Sequence, residues 1–201
     1  MAKLYFRYAA MNAGKSTALL QAAHNYEERG MQVRLFTAAL DDRGGVGIVD
    51  SRLGLSRPAQ LFGADTVFDA PALWSGAAQR PACLLIDEAQ FLTLDQVRQL
   101  HRLAHREDLP VLCWGLRSDF QGRAFEGAAE LLTLADDLEE MKTICACGRK
   151  ASMNLRFDAD GQRVIDGEQV LIGGNDRYRA VCPRCFYSDV VDAAEAPGLF
   201  G

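Results

Sequence analysis

The chain has 201 residues, 49% of them hydrophobic and 24% charged, with a net charge of −5. These values suit one globular domain with at most a small appendage and argue against a general nucleic-acid-binding surface. No apolar run of ~18 residues is present, so no membrane-spanning segment is expected, and Met1-Ala2-Lys3 leads into a predicted strand rather than a signal peptide, which makes a cytoplasmic location the expectation.

Residues 4–17 read as a strand, a tight loop and the start of a helix. Gly14-Lys15-Ser16 ends a phosphate-binding loop of the G-x-x-x-x-G-K-[ST] type, which spans Ala9, Ala10, Met11, Asn12, Ala13, Gly14, Lys15 and Ser16. Such a loop cradles nucleotide phosphates in backbone N–H groups at a helix N-terminus. Lys15 would reach the β/γ-phosphates, and the Ser16 hydroxyl would ligate Mg²⁺. Ala9 stands where the motif has its first glycine and lacks glycine's freedom at positive φ. Either the loop begins with an ordinary backbone angle there, or the match is coincidental. Residues 16–29 follow with helical periodicity in Leu19, Ala22, Ala23 and Tyr26, and Gly30 closes the helix.

Residues 32–37 predict a second strand, and strand–loop–helix–strand opens an α/β fold with a parallel sheet. In the glycine-rich loop 41–47, Arg43 either reaches a phosphate or is a solvated loop charge. Residues 51–63 show no regular pattern, and 71–79 predict a short helix with proline in its first turn. Residues 82–88 predict a buried strand whose C-terminal end carries Asp87 and Glu88. Ligands bind at such strand ends. Asp87 fits the Walker-B acid on the Mg²⁺ side, and Glu88 is placed to act as a general base. The plain alternative is a pair of solvated acids in a turn.

Thr93 and Gln96 form a capping box for a helix that buries Val97, Leu100 and Ala104. His101 and His105 lie four apart on it, a spacing that can bind metal, but without an H-E-x-x-H pattern they read as surface histidines. Residues 110–116 predict another buried strand ending at the ligand edge. Phe120 and Phe125 beyond it either wall a flat ligand or pin the loop. Residues 131–134 predict a short strand and 136–141 an acidic helix.

Of the six cysteines, Cys83 and Cys113 sit in apolar runs and read as inert core residues. Cys145, Cys147, Cys182 and Cys185 form two half-sites, C-x-C and C-x-x-C, that fit a structural Zn²⁺ held by four thiolates; free cysteines in a small hydrophobic cluster are the alternative. Between them, apolar residues from Val170 run into Gly173-Gly174-Asn175, a strand running into a turn or exposed loop. A metal clamping both ends of that segment would suit a lid over a ligand. The expected division is a phosphate-loop α/β unit over 1–141, a zinc-binding module over 142–192, and a tail over 193–201.

Jointly, residues 10–16 (AMNAGKS), 87–91 (DEAQF), 115–120 (GLRSDF), 145–152 (CACGRKAS) and 172–178 (IGGNDRY), with Cys182 and Cys185, resemble the thymidine kinases of the cytosolic, zinc-containing type in their bacterial form. The resemblance covers nearly the whole chain. It implies a mostly parallel P-loop sheet with a small C-terminal zinc module. It implies ATP-dependent phosphorylation of the thymidine 5′-hydroxyl, with Glu88 as base and Lys15 and Arg43 beside the phosphates. Asp87 and Gln90 fall with the ATP/Mg²⁺ loop. Phe91, Leu116, Phe120 and Tyr178 match walls of the nucleoside pocket, and Val170, Ile172, Gly173 and Gly174 match the loop that hydrogen-bonds thymine through its backbone. Cys145, Cys147, Cys182 and Cys185 match the zinc ligands. A homotetramer with feedback by dTTP is implied as well, with no nucleic-acid or membrane partner. Asn154 departs from the threonine that many members place beside the base's methyl group. Two other readings stay open from the residues alone: a P-loop ATPase whose zinc module binds a protein or nucleic acid, and a nucleotide-binding regulator without catalysis.

Overall fold

The structure is a computed structural model and describes residues 1–41, 45–70, 73, 80–170 and 177–188. In chain order its first elements are strand β1 (Leu4–Ala9), helix α1 (Lys15–Glu27), β2 (Val33–Ala38), the antiparallel hairpin β3 (Ile48–Asp50) and β4 (Ser56–Pro58), and β5 (Gln60–Phe62). After them come β6 (Cys83–Ile86), a 3₁₀ turn (Ala89–Phe91), α2 (Leu94–Arg106), β7 (Val111–Leu116), α3 (Glu126–Leu134) and β8 (Asp137–Glu140). Six strands form one sheet in the order β5-β2-β6-β7-β1-β8, and every neighbouring pair is parallel.

Parallel sheets are covered on both faces, so their central strands must be apolar on both sides. All four residues of β6 are buried. Leu84 and Ile86 join Leu4, Phe6, Val111 and Cys113 on the face that packs against α2 and α3. Cys83, Leu85, Leu112 and Trp114 join Leu19, Leu20 and Ala23 of α1 on the other. Cys83 and Cys113 are fully buried, and burial raises both thiols, Cys83 to about 12, which fits their reading as inert core residues.

Helix ends follow their local chemistry. Gly30 adopts φ 72 and donates to the Glu27 carbonyl at 2.8 Å, closing α1. At α2 both halves of the capping box are present: Gln96 N–H donates to Thr93 Oγ1 (3.2 Å), and Thr93 N–H donates to Gln96 Oε1 (3.0 Å).

Three expectations fail here. Residues 131–134 are the last turn of α3, not a strand; its buried side chains, Ala128 and Leu131, are three apart beside the buried Gly127, and four residues are too few to reveal that period. Residues 136–141 are not helical. Asp137–Glu140 is a parallel edge strand on β1, and its exposed acids suit an edge that must not recruit another chain. The unpatterned stretch 51–63 holds β4 and the opposite edge strand β5. The helix expected over 71–79 and the tail over 193–201 lie outside the described residues, Leu73 excepted.

Residues 142–170 and 177–188 build a smaller cluster from β9 (Thr143–Ile144) with β10 (Lys150–Ala151), the antiparallel sheet β12 (Arg163–Val164), β11 (Met153–Phe157) and β13 (Tyr178–Val181), and the short helix α4 (Pro183–Phe186). Leu155, Phe157, Val181 and Phe186 form its core with Cys145 and Cys182. Among the described residues no helix is long and apolar enough to cross a membrane.

Candidate active site

β1 ends at Ala9 and α1 begins at Lys15, so the phosphate loop lies on the C-terminal edge of the parallel sheet. Ala9 and Ala10 are buried. Ala9 is not among the positive-φ residues; that conformation falls on Asn12 (φ 61) and Gly14 (φ 77) instead. The loop therefore begins with an ordinary backbone angle, and alanine costs it nothing at the first motif position. Lys15 is buried, and its Nζ donates to the Ala10 carbonyl at 3.3 Å, which curls the side chain back over the loop. Loop residues Met11 to Ser16 line a cleft of about 700 Å³ together with Asp87, Glu88 and Leu116.

β6 delivers the two carboxylates to that cleft. Asp87 is 3% exposed; its Oδ2 accepts from Ser16 Oγ at 3.1 Å, while its Oδ1 is buried without a hydrogen-bond partner. Burial first, then the charge of Glu88, raise Asp87 to about 7, against the opposing pull of Lys15 and the Ser16 hydroxyl. A buried carboxylate oxygen without a donor, beside a serine hydroxyl, fits a hard divalent cation such as Mg²⁺. Glu88 adopts φ 51, a left-handed backbone that a glutamate takes only when its surroundings enforce it. Gln90 helps fix it. Its Nε2 donates to Glu88 Oε2 at 2.5 Å, and its Oε1 accepts from Leu116 N–H at 2.9 Å. Gln90 thus braces Glu88 against the end of β7.

Of the nucleoside-side residues, Leu116 lines the cleft, and Phe91, Leu116 and Val170 pack on the same hydrophobic cluster. Phe91 meets Phe125 edge-on at 5.8 Å, so Phe125 pins the loop. Phe120 is 2% exposed, with the Arg156 guanidinium 3.7 Å over its ring, so that ring face is already covered. Tyr178, half-buried, opens β13 opposite Arg156. Arg43, Ile172, Gly173 and Gly174 lie outside the described residues.

Sequence reasoning missed how the smaller cluster joins the sheet: it named Asn154 only as a departure beside the base, and Arg156 and Gln169 not at all. Asn154 is 2% exposed; its Oδ1 accepts from Met11 N–H at 2.8 Å, and its Nδ2 donates to the Ser118 carbonyl at 3.2 Å. Arg156 crosses to the sheet side with its guanidinium over the Phe120 ring, while its donations to the Glu168 and Asp166 carbonyls stay within the smaller cluster. Gln169 Nε2 donates to Asp119 Oδ2 at 2.9 Å. The available signal was the alternation in β11, where Asn154 and Arg156 share one face of a strand whose Leu155 and Phe157 face the other way.

The four C-terminal cysteines converge. Cys145 precedes a tight turn with Gly148 at φ 81, and Cys182 and Cys185 flank the start of α4. All four sulfurs lie within 4.8 Å of one another, with Cys147 Sγ 3.5 Å from both Cys145 Sγ and Cys182 Sγ. Zn–S bonds of about 2.3 Å place tetrahedral sulfurs roughly 3.8 Å apart, so the cluster fits a structural Zn²⁺. Hydrogen bonds, first from the Arg149 backbone and then from neighbouring thiols, lower Cys147 to about 6, while contact with Cys147 pushes Cys185 up to about 12. Thiols that compete in this way for negative charge are a donor set suited to a cation.

A family model described as thymidine kinase matches residues 2–186. A protein of Albidiferax ferrireducens named thymidine kinase is 61% identical over 196 residues, covering 98% of each chain. One from Chromobacterium violaceum with the same name is 59% identical over 94% of this chain and 100% of its own. The Salmonella typhimurium protein of that name is 55% identical over 96% of this chain and 93% of its own. With the phosphate loop, the paired acids and the four cysteines in place, these matches assign the family: the chain belongs to the thymidine kinases.

Proposed function

We propose that this protein transfers the γ-phosphoryl group of ATP to the 5′-hydroxyl of thymidine, giving dTMP and ADP. Family membership supports the substrate, and one observation carries the chemistry: Glu88, held in a left-handed backbone and braced by Gln90, borders the same cleft as the phosphate loop. Phosphoryl transfer needs positioning and charge neutralisation more than covalent help. The N–H groups of residues 9–16 and Lys15 bind the β- and γ-phosphates. Glu88 takes the proton of the 5′-hydroxyl as that oxygen bonds to the γ-phosphorus; the bond from phosphorus to the β–γ bridging oxygen breaks, and its electron pair leaves with ADP. Ser16 and Asp87 would hold the Mg²⁺ that accompanies ATP, which when bound supplies positive charge to the phosphate oxygens. Cys145, Cys147, Cys182 and Cys185 would hold Zn²⁺ as a structural clamp with no open position. Arg43 keeps the phosphate-side role that the resemblance gives it, and Ile172, Gly173 and Gly174 their place beside the base.

The family likeness also supports a cytoplasmic homotetramer, feedback by dTTP, and the division at 141/142 into a kinase unit and a zinc module. Asn154 bears on base selectivity. Both ends of its amide already brace Met11 and Ser118, so base discrimination falls to the loop 170–178. The test is a screen of nucleosides for ATP-dependent phosphorylation by the purified protein. Thymidine is expected to be the preferred acceptor. ATP hydrolysis that no nucleoside accelerates would instead favour an ATPase.

A further inference from the structure

A second group of metal-ligating side chains lies away from the cleft, among α2, α3 and β8. His101 and His105 sit one turn apart on α2, with ring centroids 4.6 Å apart. Asp136 reaches them from the link between α3 and β8, its Oδ2 3.1 Å from His105 Nε2. One donor atom from each of the three lies within 4.8 Å of the others. We propose that His101, His105 and Asp136 form a binding site for a late first-row divalent cation, Zn²⁺, Ni²⁺, Co²⁺ or Cu²⁺, with at least one coordination position left open.

The donor chemistry selects that class. Two imidazoles and one carboxylate suit Zn²⁺, Ni²⁺ and Cu²⁺, whereas Mg²⁺ and Ca²⁺ prefer all-oxygen sites and thiolate clusters prefer softer ions. The protein thus offers three different donor sets: oxygen at Ser16 and Asp87, sulfur at the four cysteines, and nitrogen with oxygen here. Distances also suit an ion. Bonds of about 2.1 Å in tetrahedral array place donors roughly 3.4 Å apart. The His105–Asp136 pair is already that close, and the widest allowed gap must close by only about 1.4 Å. Side chains at 31% and 26% exposure, as His105 and Asp136 are, have room to make that adjustment.

Asp136 is oriented before any ion arrives. Its Oδ2 also accepts from the Leu4 N–H at 2.8 Å, and its own N–H donates to the Leu4 carbonyl at 2.9 Å, so the start of β1 fixes it in place. Outer-shell hydrogen bonds of this kind orient metal ligands. An ion held there would clip the last turns of α2 to the start of the edge strand β8.

The chain has three histidines, and His24, on α1, serves as an internal control. Protein shown by metal analysis to carry one Zn²⁺ per chain and no second metal would be titrated with Ni²⁺ by calorimetry and by NMR of the histidine rings. The expected result is one Ni²⁺ per chain, broadened His101 and His105 ring signals, and a His24 signal that persists. His101→Gln and His105→Gln should each weaken binding by more than about 10-fold, as expected when a ligand is lost, while His24→Gln leaves it unchanged. Each variant's fold is checked by circular dichroism, and His101→Gln alone suffices should His105→Gln misfold. Absence of saturable Ni²⁺ binding, binding that survives either ligand substitution in a folded protein, or equal broadening of all three rings would overturn the site.

Discussion

Replacing Gly115 by alanine tests how the fold holds its proposed base. A Cβ at that position would stand 2.8 Å from Gln90 Oε1, 3.0 Å from Gln90 N and 3.4 Å from Ala89 N. Ordinary contact begins near 3.4 Å, so two of the three atoms must move. The nearest is an oxygen at the end of a side chain, but Gln90 is 2% exposed and hydrogen-bonded to both Leu116 N–H and Glu88. The second is backbone of the 3₁₀ turn directly after Glu88. Overpacking of a filled interior costs about 1–3 kcal/mol, and for a chain of this size each kcal/mol lowers Tm by about 2–4 °C. The larger effect should be on turnover. A displacement of ~1 Å at a reacting group costs on the order of 10²-fold, and Gln90 cannot shift without releasing Glu88. ATP affinity should stay within about threefold, because the added methyl meets Gln90 and Ala89 rather than any atom of the phosphate loop. Thermal unfolding, ATP binding and turnover at saturating substrates together decide the matter. A folded Gly115→Ala protein with wild-type Tm and turnover would show that the Gln90 brace does not position Glu88.

Glu88→Gln should keep the fold, since its side-chain oxygen can still accept from Gln90 Nε2, and should lower turnover by about 10² or more while thymidine and ATP still bind; near-normal turnover would remove Glu88 from the role of base. Asp87 gives a pH dependence with a defined sign. Its folded-state pKa, about 7 without cation or nucleotide, lies above the ordinary 3.8, so the folded protein binds the extra proton and loses stability as pH rises through that window. In Mg²⁺-free buffer Asp87→Asn should therefore be the more stable protein above pH 7, by at most about 4 kcal/mol, and the difference should vanish near pH 4. Unfolding curves across that range that keep a constant gap would contradict it. Protein purified without added zinc should carry about one Zn²⁺ per chain, and stripping it should unfold residues 142–188 first, because their small core includes Cys145 and Cys182. Metal-free protein with unchanged hydrogen-exchange protection across that segment would exclude a structural role for zinc.

Much of the site was legible in the sequence because its chemistry is local. Gly14-Lys15-Ser16 follows a strand, Asp87-Glu88 closes an apolar run, and the cysteine pairs keep their spacing, so each announces itself within a few residues. The capping box of Thr93 and Gln96 was readable for the same reason. What was missed depends on partners far along the chain. Residues 137–140 look helical in isolation, yet they become a strand by pairing with β1, more than 125 residues earlier. β5 is three residues long and takes its identity from β2. Asn154 and Arg156 gave a pattern but no address, since their partners in residues 11, 118, 166 and 168 come together only in the folded chain. Ala9 looked like a defect from the motif alone, and the structure removes it by placing the positive φ at Asn12 and Gly14.

The central claim is that the paired acids and the phosphate loop serve transfer to thymidine rather than to water. Its most direct measurement follows ADP and dTMP in the same reaction, with ATP and Mg²⁺ present and thymidine added or withheld. The account predicts that dTMP and ADP appear in equal amounts with thymidine, and that ADP formation without it falls to about a few per cent or less of that rate, because a bound hydroxyl is held for reaction where bulk water is not. ADP formed at the same rate whether or not thymidine is present, with no dTMP, would contradict it.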